Sequence, residues 1–364
     1  MSLATQPLTK IPAKVAGHPL TRFVGALALL FIFLIGVNGL SDAFTSLGGG
    51  VIDSFFAATQ NPFMGLMVGI LATTLVQSSS VTTSLIVALV AAPVHPLPLL
   101  NAIPMVMGAN IGTTVTNSIV SLAHMGRKEE FYRAFSVATV HDFFNFMAVA
   151  ILLPLEMMTH YLQRTATVLS SLLIGVGGME YDSPIKGAIK GALKPIKDAI
   201  HAVVDSEKLQ AIILIIVSAT LIYVALMLLV RVMRRAMHSK VELIVSRGLY
   251  KAPAFAILVG ILVTAMVQSS SITTSLLVPL AGAGLITLQQ AFPITIGANI
   301  GTTVTALLAA LAVTGPNAQW GIAIALVHLF FNMSATLLIY PVERIRDIPL
   351  RAARRLAAVA VRSR

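Results

Sequence analysis

Three observations predict an all-α polytopic membrane protein made of two inverted-topology repeats, each with a re-entrant helical hairpin and a broken helix. Hydrophobic residues make up 57% of the 364 residues and charged residues only 11%, with a mean hydropathy of +0.89, which is a membrane composition. Apolar runs of about 20 residues, the length that crosses a hydrocarbon core, recur along the chain. Within such runs a polar Gln-Ser-Ser-Ser appears twice, as TLVQSSSVTTSL over 74–85 and AMVQSSSITTSL over 265–276. Segments this polar are costly in hydrocarbon unless they face protein, water or a ligand. Building one twice predicts a site assembled from two halves of a duplicated chain. The chain contains no cysteine, which excludes disulfides, thiolate metal sites and cysteine nucleophiles.

Taken in order, residues 1–22 read as a cytoplasmic tail without the apolar core and small-residue cleavage site of a signal peptide. Residues 23–60 read as a retained first span, Val24 to Leu40, and a connector. Repeat 1 occupies 61–158, an extracytoplasmic linker 159–208, and a span with a basic cytoplasmic loop 209–251. Repeat 2 occupies 252–342, and 343–364 is a basic cytoplasmic tail. Full spans are expected near 23–40, 98–122, 133–157, 209–230, 287–313 and 320–341.

Charge placement sets the sidedness. Lys10, Lys14 and Arg22 precede the first span, and Arg127, Lys128 and Arg133 form one short loop. Arg231, Arg234, Arg235, Lys240, Arg247 and Lys251 form another, and seven arginines lie between Arg344 and Arg364. The loops at 41–60, 91–97 and 313–319 contain no lysine or arginine. This is the positive-inside bias, with both termini cytoplasmic. The net charge of +11 is therefore topological and does not point to nucleic acid.

The serine stretches, 61–92 and 252–283, cannot both cross if this pattern holds. Read as re-entrant hairpins, their arms reach only about 18–21 Å at 1.5 Å per residue, enough to bring a tip near the midplane. The first hairpin then enters from outside and the second from inside. The linker holds IKGAIKGALKPIKDAI, with Lys186, Lys190, Lys194 and Lys197 on one helical face beside Ile185, Ile189, Leu193 and Ile196. An amphipathic surface helix and a solvated linker both fit this segment, with Glu180, Asp182, Asp198, Asp205 and Glu207 offsetting its charge.

Two further blocks are duplicated. GANIGTTVT over 108–116 recurs over 297–305, and His141-Asp142-Phe143-Phe144-Asn145 recurs as His328-Leu329-Phe330-Phe331-Asn332. The serine, glycine and histidine blocks recur at offsets of 191, 189 and 187, which secures the duplication. Two glycines around an asparagine weaken a helix by roughly 1 kcal/mol per glycine. A break there would free carbonyls for a cation and amides for an anion, while small-residue helix packing is the alternative. The serine hydroxyls can donate to an oxyanion or offer lone pairs to a hard cation, though hydroxyls can also bond back to their own helix.

No lysine or arginine needs to enter the hydrocarbon, so an anion held at the tips must be neutralised by dipoles and co-bound cations. Asp142 is the one acidic residue well inside a span, a position that is usually functional and partnered. His141 and His328 are expected to be hydrogen-bonded packing residues rather than metal ligands. No Walker loop, Rossmann glycine pattern or hydrolase elbow is visible, so no enzymatic or ATP-driven activity is expected.

The blocks resemble the type II sodium-dependent phosphate cotransporter family. The likeness is greatest in the two Gln-Ser-Ser-Ser segments, in GANIGTTVTNSIVSL (108–122), and in RAFSVATVHDFFNF (133–146) running into LLPLE (152–156). It covers about 60–158 and 250–342. It implies electrogenic symport of inorganic phosphate with sodium, by alternating access, through two inverted repeats whose hairpins meet centrally. By position it implies phosphate contacts from Gln77, Ser78, Ser79, Ser80, Gln268, Ser269, Ser270 and Ser271, with Asn110 and Asn299. It implies sodium contacts from Gln77, Ser79, Thr83, Thr113, Thr114, Asp142 and Asn145, and from Gln268, Ser270, Thr274, Thr302, Thr303 and Asn332. Asp142 matches an aspartate associated with an additional sodium. Sodium is thus the coupling ion, no cofactor is implied, and a second copy of the chain is a candidate partner beside the bilayer. The short cysteine-free segment 158–208 and the stop at Arg364 lead to the expectation of a minimal bacterial inner-membrane member. Uptake of another oxyanion, such as sulfate or a dicarboxylate, a phosphate sensor or scaffold, and a channel are the competing readings.

Overall fold

A computed structural model describes residues 19–46, 54, 56–93, 95–176, 184–249, 252–313 and 315–363, and its elements are all helical. Lys10, Lys14, Glu180, Asp182, Lys251 and Arg364, which entered the charge pattern, lie outside these residues. Among the described residues, five helices are long and apolar enough to cross a membrane. They are α1 (Pro19–Ser46), α6 (Lys128–Thr159), α9 (Glu207–Leu249), α12 (Leu288–Ala312) and α13 (Ala318–Ile339).

The sixth expected span, near 98–122, is divided into α4 (Leu99–Gly112) and α5 (Val115–Leu122). Both serine stretches form pairs of short helices. The first is α2 (Pro62–Val76) and α3 (Ser79–Val90), and the second is α10 (Pro253–Val267) and α11 (Ser270–Gly282). Asn61 caps α2 by accepting from the Phe63 and Met64 amides, with Pro62 just inside the first turn. Arms of 15 and 12 residues, and of 15 and 13, are each too short to cross.

Segments expected to be loops or tails are helical. The basic loop after residue 230 continues α9 to Leu249, because no proline or glycine interrupts Glu207–Arg247 and its arginines, methionines and leucines favour helix. The basic tail forms α14 (Glu343–Arg362), whose buried Pro349, Leu350, Ala353 and Ala357 let it pack on α6. The linker holds α7 (Tyr161–Val176), packed on α13, and α8 (Pro184–Val203). The lysine-rich α8 buries Ile189 and Leu193 with Ile35, Ala43 and Leu214, so this part of its apolar face is spent on α1 and α9. Lys197 also pairs with Asp42 at 3.0 Å.

The glycines of the duplicated block explain the tightest packing. A Cβ on Gly108 would overlap the Leu66 carbonyl oxygen, and one on Gly297 would overlap that of Ile257. Helix α2 therefore lies backbone-to-backbone on α4, and α10 lies likewise on α12. The second arms behave differently. Helix α3 packs on α12 and α13, whereas α11 packs on α5 and α6, so each rests on the opposite half of the molecule.

Candidate functional site

The two tips have the same geometry. Gln77 and Gln268 sit in the left-handed region at φ 57° and 58°, each ending one short helix and turning the chain into the next. This conformation costs a non-glycine residue roughly 1–2 kcal/mol. Each glutamine side chain holds its corner. The amide of Gln77 donates to the Thr74 carbonyl at 2.5 Å and accepts from Thr116 Oγ1 at 2.9 Å. Gln268 donates to Ala265 at 2.5 Å and accepts from Thr305 Oγ1 at 2.8 Å.

Beyond each corner a serine caps the next helix. Ser78 Oγ accepts from the Val81 amide and Ser269 Oγ from the Ile272 amide, each at 3.4 Å. Their hydroxyl protons have no acceptor among the described residues. The first N–H groups of α3, on Ser79 and Ser80, and of α11, on Ser270 and Ser271, have no intrahelical partner. Gln77, Ser78, Ser80, Gln268 and Ser269 line one cavity of about 170 Å³ together with Val76, Val81, Tyr223, Leu226 and Met227. No charged side chain among the described residues lines it. The cavity thus offers O–H and N–H donors at two positive helix ends, the chemistry that holds a small anion.

The threonines offer the complementary chemistry. Thr83 and Thr274 donate to the carbonyls of Ser79 and Ser270, one turn inside the tips, at 2.8 and 2.9 Å. Thr113, Thr114, Thr302 and Thr303 likewise donate back to Ala109, Ile111, Ala298 and Ile300. A hydroxyl whose proton is committed to its own helix presents only lone pairs, which suit a cation and not an oxyanion.

The asparagines lie in a buried network away from the cavity lining. His141 Nε2 is paired with Asn299 Oδ1 at 2.5 Å, Asn299 Nδ2 donates to Asn145 Oδ1 at 2.7 Å, and Asn145 Nδ2 donates to the Asn110 carbonyl at 2.8 Å. Asn145 and Asn299 therefore spend their side chains on each other. Asn110 and Asn332 instead donate to the Val106 and His328 carbonyls of their own helices. His141 is the hydrogen-bonded packing residue that its sequence context suggested, whereas both ring nitrogens of His328 are buried without a partner among the described residues.

The expected pair of broken helices is only half formed. In the first, Thr113 and Thr114 keep helical angles and Thr114 N bonds to Ile111 O at 3.3 Å, an i to i+3 tightening rather than an unwinding. The matching α12 runs unbroken through Thr302 and Thr303. The glycines serve the contact with α10, and the helix does not need to open for it. Asp142 faces Thr114 at the tightened turn, where the second half has Leu329 beside an intact helix. Asp142 forms no ion pair among the described residues.

Four participants escaped sequence reading. Tyr223 comes from a span with no duplicated motif. Asn117, whose Oδ1 lies 2.9 Å from Thr274 Oγ1 across the two halves and shares that hydroxyl's proton with the Ser270 carbonyl, has Ala306 as its repeat mate. Thr116 and Thr305 close the duplicated glycine block, so their matched positions could have flagged them.

A family profile described as Na+/Pi-cotransporter matches residues 32–181 and 204–344. Sodium-dependent phosphate transport protein 2B of Homo sapiens is 33% identical over 430 aligned positions, covering 94% of this chain and 62% of that protein. Sodium-dependent phosphate transport protein 2A is 35% identical in Ovis aries, covering 94% and 64%, and 35% identical in Mus musculus, covering 97% and 65%. The chain thus spans less than two thirds of the length of these relatives. The 430 positions exceed its own 364 residues, so the human protein carries extra residues within the matched region. No solved structure matches.

Proposed function

The chain belongs to the Na+/Pi-cotransporter family, and from that premise we propose that it carries inorganic phosphate into the cell together with sodium, by alternating access and with net charge movement. The observation that carries this is the shared tip cavity, where two capped helix N-termini and two free serine hydroxyls converge without any cationic side chain. Phosphate is held by the donors of Ser78, Ser80 and Ser269 and by the first amides of α3 and α11. Sodium is held by the lone pairs that the back-bonded threonines and the tip carbonyls present, and it neutralises the anion where no lysine or arginine can.

The glutamines act as corner clamps more than as ligands, and Asp142 supplies the site of an additional sodium. The energetic logic is simple. One charge moved across 100 mV is worth about 2.3 kcal/mol, and phosphate carries up to about two negative charges. A negative-inside cell opposes phosphate alone. Two sodium ions cancel its charge and a third makes entry favourable.

The charge bias supports both termini cytoplasmic and the two short-helix pairs entering from opposite faces. The test is phosphate uptake into proteoliposomes with and without a sodium gradient. Ser78→Ala and Ser269→Ala should each raise the phosphate concentration needed for half-maximal uptake by about tenfold, the worth of a buried hydrogen bond to a charged group. Uptake that ignores the sodium gradient, or sulfate competing as well as phosphate, would overturn the proposal.

A further inference from the structure

The two halves carry the same buried histidines and asparagines but do not make the same hydrogen bonds with them. The repeat mates of His141, Asn299, Asn145 and Asn110 are His328, Asn110, Asn332 and Asn299. A symmetric molecule would therefore contain a second bridge, from His328 to Asn110, to Asn332 and on to the Asn299 carbonyl. None of those three bonds is made. Asn110 and Asn332 donate to their own helices, and Asn332 Oδ1 and both His328 nitrogens are buried without a partner among the described residues. The elements that would carry this bridge are nonetheless in contact, since α13 packs on α4.

The hairpins repeat the asymmetry independently. Thr264 Oγ1 donates to Thr273 Oγ1 at 2.8 Å, tying the arms of the second hairpin. Its mate Thr73 is fully buried and unpartnered among the described residues, whereas Thr82 and Thr273 alike donate to the carbonyls of Ser78 and Ser269, so the difference between the hairpins is the bond that Thr73 lacks. Three of the seven buried polar atoms without a partner among the described residues, Thr73 Oγ1, His328 Nε2 and Asn332 Oδ1, are thus mates of atoms that are bonded. A lasting orphan of this kind is costly, and duplicated carriers can exchange the conformations of their two halves.

We propose that the bridge is made alternately: His141–Asn299–Asn145 joins in the state seen here, and His328–Asn110–Asn332 joins when the carrier faces the other side. His328, Asn110 and Asn332 are on this view positioning residues for transport that set the balance between the two facing states. The inference rests on the alternating-access part of the proposed function.

The absence of cysteine makes it testable, because a single introduced cysteine is the only thiol. Met227→Cys, in the cavity lining, reports access to the tips through its rate of modification by a membrane-impermeant maleimide in oriented vesicles. His141→Ala removes a bond of one state and His328→Ala a bond of the other. Their modification rates should therefore move in opposite directions, each by on the order of tenfold, and the double variant should return toward the parent. His141→Gln and His328→Gln, which keep a donor and an acceptor, should stay close to the parent. A merely structural pair would give shifts of one sign that add in the double variant. Either that outcome or an unmoved rate in His328→Ala overturns the exchange. If an alanine variant fails to fold, Asn145→Ala and Asn332→Ala remove the next bond of each bridge and carry the same opposite-sign expectation. Sodium-driven phosphate uptake is measured on the Met227→Cys parent and on the unaltered protein. Absence of uptake in both sinks the transport proposal, whereas uptake with same-sign shifts sinks the exchange alone.

Discussion

Replacing Gln268 separates a ligand from a clamp. The side chain makes two hydrogen bonds, to the Ala265 carbonyl and from Thr305 Oγ1, while its backbone stays at φ 58°. Each neutral bond is worth about 1 kcal/mol net, and the left-handed corner costs about 1 kcal/mol for any residue with a Cβ. Gln268→Ala loses both bonds and keeps the backbone cost, so it loosens the tip by about 2 kcal/mol, or about 30-fold in the population of the formed corner. Gln268→Gly loses the same bonds but is relieved of the backbone cost, so its loss is about 1 kcal/mol, or about fivefold. The assay is initial sodium-driven phosphate uptake across phosphate concentrations, with thermal unfolding of the detergent-solubilised protein measured in parallel. Alanine should impair half-saturation more than glycine, and Thr305→Val, which removes one bond, should fall near glycine. If glycine is as damaging as alanine while Thr305→Val is silent, the glutamine contacts the transported ions directly and the clamp is wrong.

Other expectations follow from the packing. Gly297→Ala forces a Cβ into the Ile257 carbonyl and should destabilise by about 1–3 kcal/mol in thermal unfolding. Gly191→Ala in the exposed part of α8, where a Cβ meets nothing, should stabilise by about 0.5–1 kcal/mol. Arg133→Ala releases the Ala281 and Gly282 carbonyls at the end of α11, which the guanidinium reaches at 2.8–3.2 Å, and should cost about 1–3 kcal/mol in the same measurement. Asp142→Gly should lower the charge moved per phosphate by one in simultaneous current and tracer recordings, and an unchanged ratio refutes its sodium role.

The short helix pairs were legible almost to the residue. Expected stretches of 61–92 and 252–283 became Pro62–Val90 and Pro253–Gly282, because a proline opens each and the polar run in its middle ends the first helix. The corner residue was not legible. Glycine announces a left-handed corner in sequence, but here a glutamine adopts it, held by a threonine 37 to 39 positions away. Charge density read 231–251 and 343–364 as loop and tail, yet charge does not oppose helix formation, and both segments are helical as far as they are described. The glycine blocks were ambiguous between opening a helix and packing it closely. Packing prevailed, and only the half carrying Asp142 shows a tightened turn.

The crossed resting places of α3 and α11 bear on how the chain is made. Val81, Ile86, Val87 and Val90 of α3 are buried, and much of that cover comes from α12 and α13, roughly two hundred residues later in the chain. During synthesis α3 must wait for this cover until Leu288–Ile339 has emerged, whereas α11 finds α5 and α6 already made. Closure entropy falls on both pairs of short helices, but the wait for later-made partners is longer for the first. Mutations that weaken the α3–α12 contact should therefore reduce yield before they reduce the stability of protein already assembled.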